Sequence, residues 1–82
     1  MKIELGPEQT LLLAVLVQTM EDALDGRQDA IDVLEMKNDT LQLLCNVIDP
    51  GLNIKVLTTW WKRCLQGTRD RKLINALMRY LP

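Results

Sequence analysis

From residue 7 to residue 24 apolar side chains recur at helical spacing. Leu12, Leu13, Leu16, Val17, Met20, Ala23 and Leu24 share one broad face, with Gln18, Glu21 and Asp22 opposite. Gly6 and Pro7 open this helix, because proline at a first-turn position loses no hydrogen bond there, and Glu8 lies favourably against the helix dipole. Gly26 follows the last periodic residue and stops it. Leu11 and Val15 break the polar face. A helix apolar beyond one stripe is expected to be covered on two sides, by its own core or by a partner.

From Gln28 to Ile48 the apolar positions Ala30, Val33, Leu34, Leu41, Leu44, Cys45 and Ile48 keep one helical phase. One long helix would fit them. However, Lys37 falls near the centre of that face, and Asn38, Asp39 and Thr40 compete for backbone hydrogen bonds. The pattern therefore predicts helices over 28–37 and 39–48, ended by Asp49-Pro50-Gly51. Pro50 and Gly51 suit the central positions of a type II turn. Asn53 can cap the following helix, with Leu52 and Leu57 closing a hydrophobic staple across its first turn.

That helix is predicted to end at Gln66, with Gly67 in the left-handed conformation. Ile54, Leu57, Trp61, Cys64 and Leu65 form its inward face. Trp60 projects with Val56 to one flank beside Arg63, as a second packing contact or an exposed anchor; burial is the commoner fate of tryptophan. Thr68 can cap a last helix over 68–81, where Leu73, Ile74, Leu77, Tyr80 and Leu81 are apolar and Arg71, Lys72, Asn75 and Arg79 lie opposite. No internal repeat, low-complexity segment or linker is evident. The expected architecture is all-α, a small bundle of four to five short helices in a single domain over residues 1–82.

Composition narrows the picture. The apolar mass is aliphatic and leucine-rich, with two Trp, one Tyr and no Phe, and a chain of 82 residues builds a small core. The apolar run Leu11–Val17 raises a secretory signal, but Glu4 and Glu8 stand where basic residues belong and Glu21-Asp22 where small ones do. Its length is far below the roughly 20 residues that span a bilayer. The chain is therefore read as intracellular, soluble and without a membrane partner.

Charge is divided along the chain. Residues 1–52 hold three basic against ten acidic side chains, and residues 53–82 seven basic against one acidic. Such a split marks an interaction surface, or two halves that face each other in the fold or in a dimer.

Catalytic chemistry is sparse. There is no histidine, no serine, no glycine-rich phosphate loop and no evident pair of facing carboxylates. An enzyme is not expected, and neither is a cofactor. Cys45 and Cys64 without histidine exclude a closed four-ligand zinc site in one chain. One disulfide is allowed, but helix-interior positions favour buried thiols. Asp29 and Asp32 have metal-pair spacing, which a solvated helix face explains better. The last two helices, joined across Gln66-Gly67-Thr68, allow a helix-turn-helix nucleic-acid regulator in which Arg69, Arg71, Lys72 and Arg79 contact phosphate or bases. The acidic overall balance and the scarcity of polar base readers disfavour it.

The stretch Gly51-Leu52, with Asn53, Ile54, Leu57-Thr58, Lys62, Cys64 and Gln66-Gly67 before a helix carrying Leu73, resembles the core of the MOZART family of mitotic-spindle organising proteins. Upstream, Asp39, Leu41, Val47 and Ile48 are similar to the family's preceding helix, so the resemblance covers about residues 39–81. It does not extend to the helix over 7–24. The Thr68-Arg69-Asp70 turn and the Trp60-Trp61 pair depart from the family pattern.

The resemblance implies a non-catalytic helical adaptor of the gamma-tubulin complex proteins. Such a subunit intertwines with their helical N-terminal domains and supports assembly or recruitment of the microtubule-nucleating complex at microtubule-organising centres or spindle poles. On that reading the partner is held by Leu41, Leu44, Ile48, Leu52, Leu57, Trp60, Trp61 and Leu77, with Arg71, Lys72 and Arg79 meeting acidic surface. The chain would fold fully only against its partner, or associate with itself when alone. A helical chaperone or assembly factor of another complex would share this physics.

Overall fold

Helix α1 spans Pro7–Leu24, the limits that its proline start and glycine stop predict. At its start the Gly6 N–H donates to Gln9 Oε1 at 2.7 Å, and the Thr10 hydroxyl donates to the Gly6 carbonyl at 3.0 Å. The otherwise unpaired N-cap N–H is thereby satisfied, and the Gly6 carbonyl also accepts the Thr10 N–H at 2.9 Å. At its end the Gly26 N–H donates to the Ala23 carbonyl and the Arg27 N–H reaches back to the Asp22 carbonyl, both at 3.0 Å. Gly26 has φ of +86°. This is a Schellman closure.

The computed structural model describes residues 6–37, 39–48, 54–67 and 71–81. Beyond α1 these contain α2 (Gln28–Leu34), α3 (Thr40–Ile48), α4 (Ile54–Leu65) and α5 (Lys72–Met78). The bundle is all-α, as the periodicity predicts. The expected turn at Asp49-Pro50-Gly51, the Leu52 staple and the Asn53 and Thr68 caps lie outside the described residues.

Two helices are shorter than predicted. The segment 28–37 is helical only to Leu34, because Met36 takes φ of +62°. The Met36 N–H then donates to the Val33 carbonyl at 3.2 Å and the Lys37 N–H to the Asp32 carbonyl at 3.0 Å. The α1 ending is thus reproduced with methionine at the glycine position. The helix predicted over 68–81 is described as α5 over Lys72–Met78, followed by a turn through Arg79 and Tyr80.

A short sequence similarity accompanies the two matching ends. Gln18, Asp22, Leu24, Asp25, Gly26 and Arg27 recur ten residues later as Gln28, Asp32, Leu34, Glu35, Met36 and Lys37. The Gln18 amide donates to Asp22 Oδ1 at 2.9 Å, and the Gln28 amide donates to Asp32 Oδ1 at 2.8 Å. Such i, i+4 pairs support the last turn of each helix.

Helix α1 is the hub. It packs against α2, α3 and α5, while α4 closes on α2 and α3. Leu13, Leu16, Val17, Met20 and Ala23 form its buried stripe. They meet Leu34 of α2, the α3 face of Leu41, Leu44, Cys45 and Ile48, and Ile74 and Leu77 of α5 in one cluster that Leu57, Trp60 and Trp61 complete from α4. Full burial of each large side chain contributes about 1.5–3 kcal/mol.

The radius of gyration is 12.0 Å, and a closed globule of this length is expected near 12 Å. The core is thus closed by α1, the helix that the family resemblance leaves out.

One expectation about an individual side chain changes, and two open ones narrow. Leu65, assigned to the inward face of its helix, is 60% exposed. It sits at the last residue of α4, at the edge of the contact with α2. Leu11 and Val15, expected to be covered by the core or by a partner, are exposed at 67% and 45%, so the chain's own core does not cover them. Of the two roles open to Trp60, packing contact or exposed anchor, burial selects the first, the commoner fate of tryptophan.

The charged halves do meet. Arg71 Nη2 donates to Glu21 Oε1 at 2.8 Å, tying the start of α5 to α1. With both side chains partly solvated, this pair contributes at most about 1 kcal/mol.

Candidate docking surface

Of the residues the resemblance assigns to a partner, Leu41, Leu44, Ile48, Leu57, Trp60, Trp61 and Leu77 are all buried in this chain's own core. As folded they face one another. A partner could reach them only by opening the bundle. Leu52 lies outside the described residues. Arg71, Lys72 and Arg79 are exposed at the start and end of α5, with Arg71 already engaged by Glu21.

What the fold leaves outward is a different set. Among the described residues, Leu11, Val15, Leu43, Val47, Met36, Val56, Leu65 and Met78 are large, apolar and exposed. They sort by position. Leu11 and Val15 lie one turn apart on α1, and Leu43 and Val47 one turn apart on α3. Val47 borders a hollow of about 480 Å³ whose other wall is the first turn of α1, Gly6 to Gln9.

Met36 and Leu65 belong to a second place. A groove of about 450 Å³ runs between the end of α2, which supplies Leu34, Glu35 and Met36, and the face of α4 that carries Thr58, Trp61, Lys62 and Leu65. Leu34 and Trp61 are almost fully buried, so they form its floor, and Met36 and Leu65 form its lips. The Schellman turn creates the α2 wall. Had the helix continued to residue 37, the chain would not swing Met36 outward at this point.

The polar groups at this groove are largely committed. Trp61 Nε1 donates to Glu35 Oε2 at 3.2 Å, pinning α4 to the end of α2. Lys37 Nζ lies 3.7 Å from Glu35 Oε1 and 3.3 Å from Asp32 Oδ1. The hydrogen bond from Gln28 holds the Asp32 carboxyl below its ordinary value, helped by Lys37. Asp32 is therefore engaged in closing α2, and Asp29 instead lies 3.9 Å from Arg27. Among the described residues no group of three metal-ligating side chains comes together.

Neither cysteine is bonded. Cys45 is buried and Cys64 half-buried. Burial pushes the Cys45 thiol up, away from the reactive thiolate.

The helix-turn-helix geometry is not reproduced by the described residues. Helix α5 packs chiefly against α1 rather than α4, and it is seven residues long. In a DNA-binding pair the two helices pack on each other to present the second to a groove.

Fold and surface together define a small five-helix bundle with a closed aliphatic core and a divided apolar exterior. Comparison with protein-family models, with curated proteins and with solved structures found no match to this chain. No helix among the described residues is long and apolar enough to cross a membrane.

Proposed function

We propose that this chain is a non-catalytic helical adaptor that docks on a protein partner through its surface. The observation that carries this reading is the set of large apolar side chains left outward although the core is closed, paired by helical turns on α1 and α3 and gathered at the α2–α4 groove. Apolar side chains gathered at a groove with an apolar floor are the kind of surface that a protein partner covers. Because the core already uses the buried leucines and tryptophans, the adaptor docks as a preformed bundle rather than intertwining with its partner.

The MOZART resemblance over residues 39–81 makes the helical N-terminal domains of gamma-tubulin complex proteins the first partner to test, with microtubule-organising centres or spindle poles as the site of action. An assembly factor of another complex would use the same surface. Nucleic-acid binding is the weaker alternative, since Arg71 is held by Glu21 and α5 lies on α1.

The test is affinity capture of the tagged chain from its native cell at physiological salt, beside Leu65→Asp and Leu43→Asp variants. A helical protein recovered in stoichiometric amount with the native chain, and lost with at least one of the two variants, is the expected outcome. Gamma-tubulin and its complex proteins in that fraction would establish the specific partner. Nucleic acid without stoichiometric protein would overturn the adaptor reading.

A further inference from the structure

The α2–α4 groove has a direction of charge as well as an apolar floor. Glu35 is the acid on its walls, and both its oxygens are engaged, one by the Trp61 indole and one by Lys37. Lys62, on the opposite wall, has no acidic partner among the described residues. Helix α4 carries Lys55, Lys62 and Arg63 and no acidic residue. A ligand lying in the slot therefore meets the positive charge of Lys62 beside an apolar floor.

The lips add a second indication. Leu65 and Met36 stand on opposite sides of the slot, both exposed. Met36 is held there by a backbone conformation that glycine would adopt more readily. Methionine is unbranched and polarizable, and it repacks around varied apolar surfaces.

We propose that this groove docks an acidic amphipathic helix of a partner protein. One large apolar side chain enters between Met36, Trp61 and Leu65, and an acidic residue beside it meets Lys62. This rests on the adaptor reading and specifies where and how the partner binds. Apolar anchors provide the grip in helix-in-groove recognition, and the charge selects among helices.

The test uses the full chain with labelled methionine and leucine methyls and tryptophan indoles, titrated with two short synthetic helical peptides. Both carry leucines along one face; the other face is glutamate in one and lysine in its mirror. The acidic peptide is expected to shift the Met36 and Leu65 methyls and the Trp61 indole, and the basic peptide to leave them in place. Leu65→Asp should weaken binding about tenfold or more, whereas Val47→Asp, remote from the groove, should not. Lys62→Glu should reverse the preference between the peptides.

Equal binding of both peptides would overturn the proposal. So would the same shifts produced by duplex DNA alone, or by raising protein concentration without peptide, which would mark the groove as a nucleic-acid or self-association surface. Shifts confined to the Leu11 and Leu43 methyls would overturn it while leaving the adaptor reading intact. If neither peptide shifts any residue, the groove proposal fails, and the native-cell capture decides the adaptor reading separately.

Discussion

Helices α1 and α2 end in the same way with different residues at the decisive position. Both use a glutamine-to-aspartate pair in the last turns and the same two reversed backbone hydrogen bonds. At the left-handed position one has Gly26 and the other Met36, at φ of +86° and +62°. Gly26 has nothing within reach of an added Cβ, so its requirement is conformational rather than steric. The backbone at residue 36 would accept glycine equally well. A methionine there carries a strain of roughly 1–2 kcal/mol that the closure itself does not require. Local strain of this kind is retained where the side chain has a use, and here the side chain forms a groove lip.

The comparison can be broken at the anchor of each turn. Leu34 ends α2 fully buried, so Leu34→Ala should cost about 2–5 kcal/mol in chemical denaturation. Leu24, its counterpart in α1, is partly buried, and Leu24→Ala should cost about 1–2 kcal/mol. Equal losses would mean that the two ends are anchored alike.

The backbone contrast is sharper still. Gly26→Ala should destabilise by about 1–2 kcal/mol, the strain of a Cβ in the left-handed region. Met36→Gly relieves that strain and adds glycine's chain entropy, so it should leave stability unchanged or raise it by up to about 1 kcal/mol. Glu35→Ala removes the acceptor of the Trp61 indole and should cost about 1 kcal/mol, read as a lower denaturation midpoint.

The smallest effect is electrostatic. The folded carboxyl of Asp32 lies below its unfolded value, held down first by Gln28 and then by Lys37. Its contribution is therefore complete above the unfolded value, near pH 4, and is lost as pH falls through the lower folded value. An Asp32→Asn variant should show a shallower loss of stability on the acid limb of a pH titration. An unchanged acid limb would remove Asp32 from the closure.

Much of the fold is legible in the sequence because its signals are local. Pro7 and Gly26 delimit α1 to the residue, and Gly67, with φ of +98°, follows α4. The inward faces of α3 and α5 follow from helical spacing. The end of α2 is not legible in this way, since methionine carries no turn signal and the polar cluster at Asn38–Thr40 lies farther on. Its one clue is the repeated Gln, Asp, Leu, acid and basic pattern, which identifies residue 36 with Gly26.

The surface is the least legible part. Tryptophan, leucine and cysteine at helical spacing look the same whether they face a partner or their own core. What decides between them is the position of α1, which fills the face that residues 39–81 would otherwise offer. Leu65 shows the converse. Its phase is apolar, yet it is exposed at the end of α4.

The most direct measurement is Met36→Gly followed by two readouts on the same sample, unfolding by denaturant and titration with the leucine–glutamate peptide. The account predicts a fold at least as stable as the native chain and peptide binding weakened several-fold, because the strained methionine serves the groove and not the turn. A variant that binds as tightly as the native chain, or one that loses stability, would contradict it.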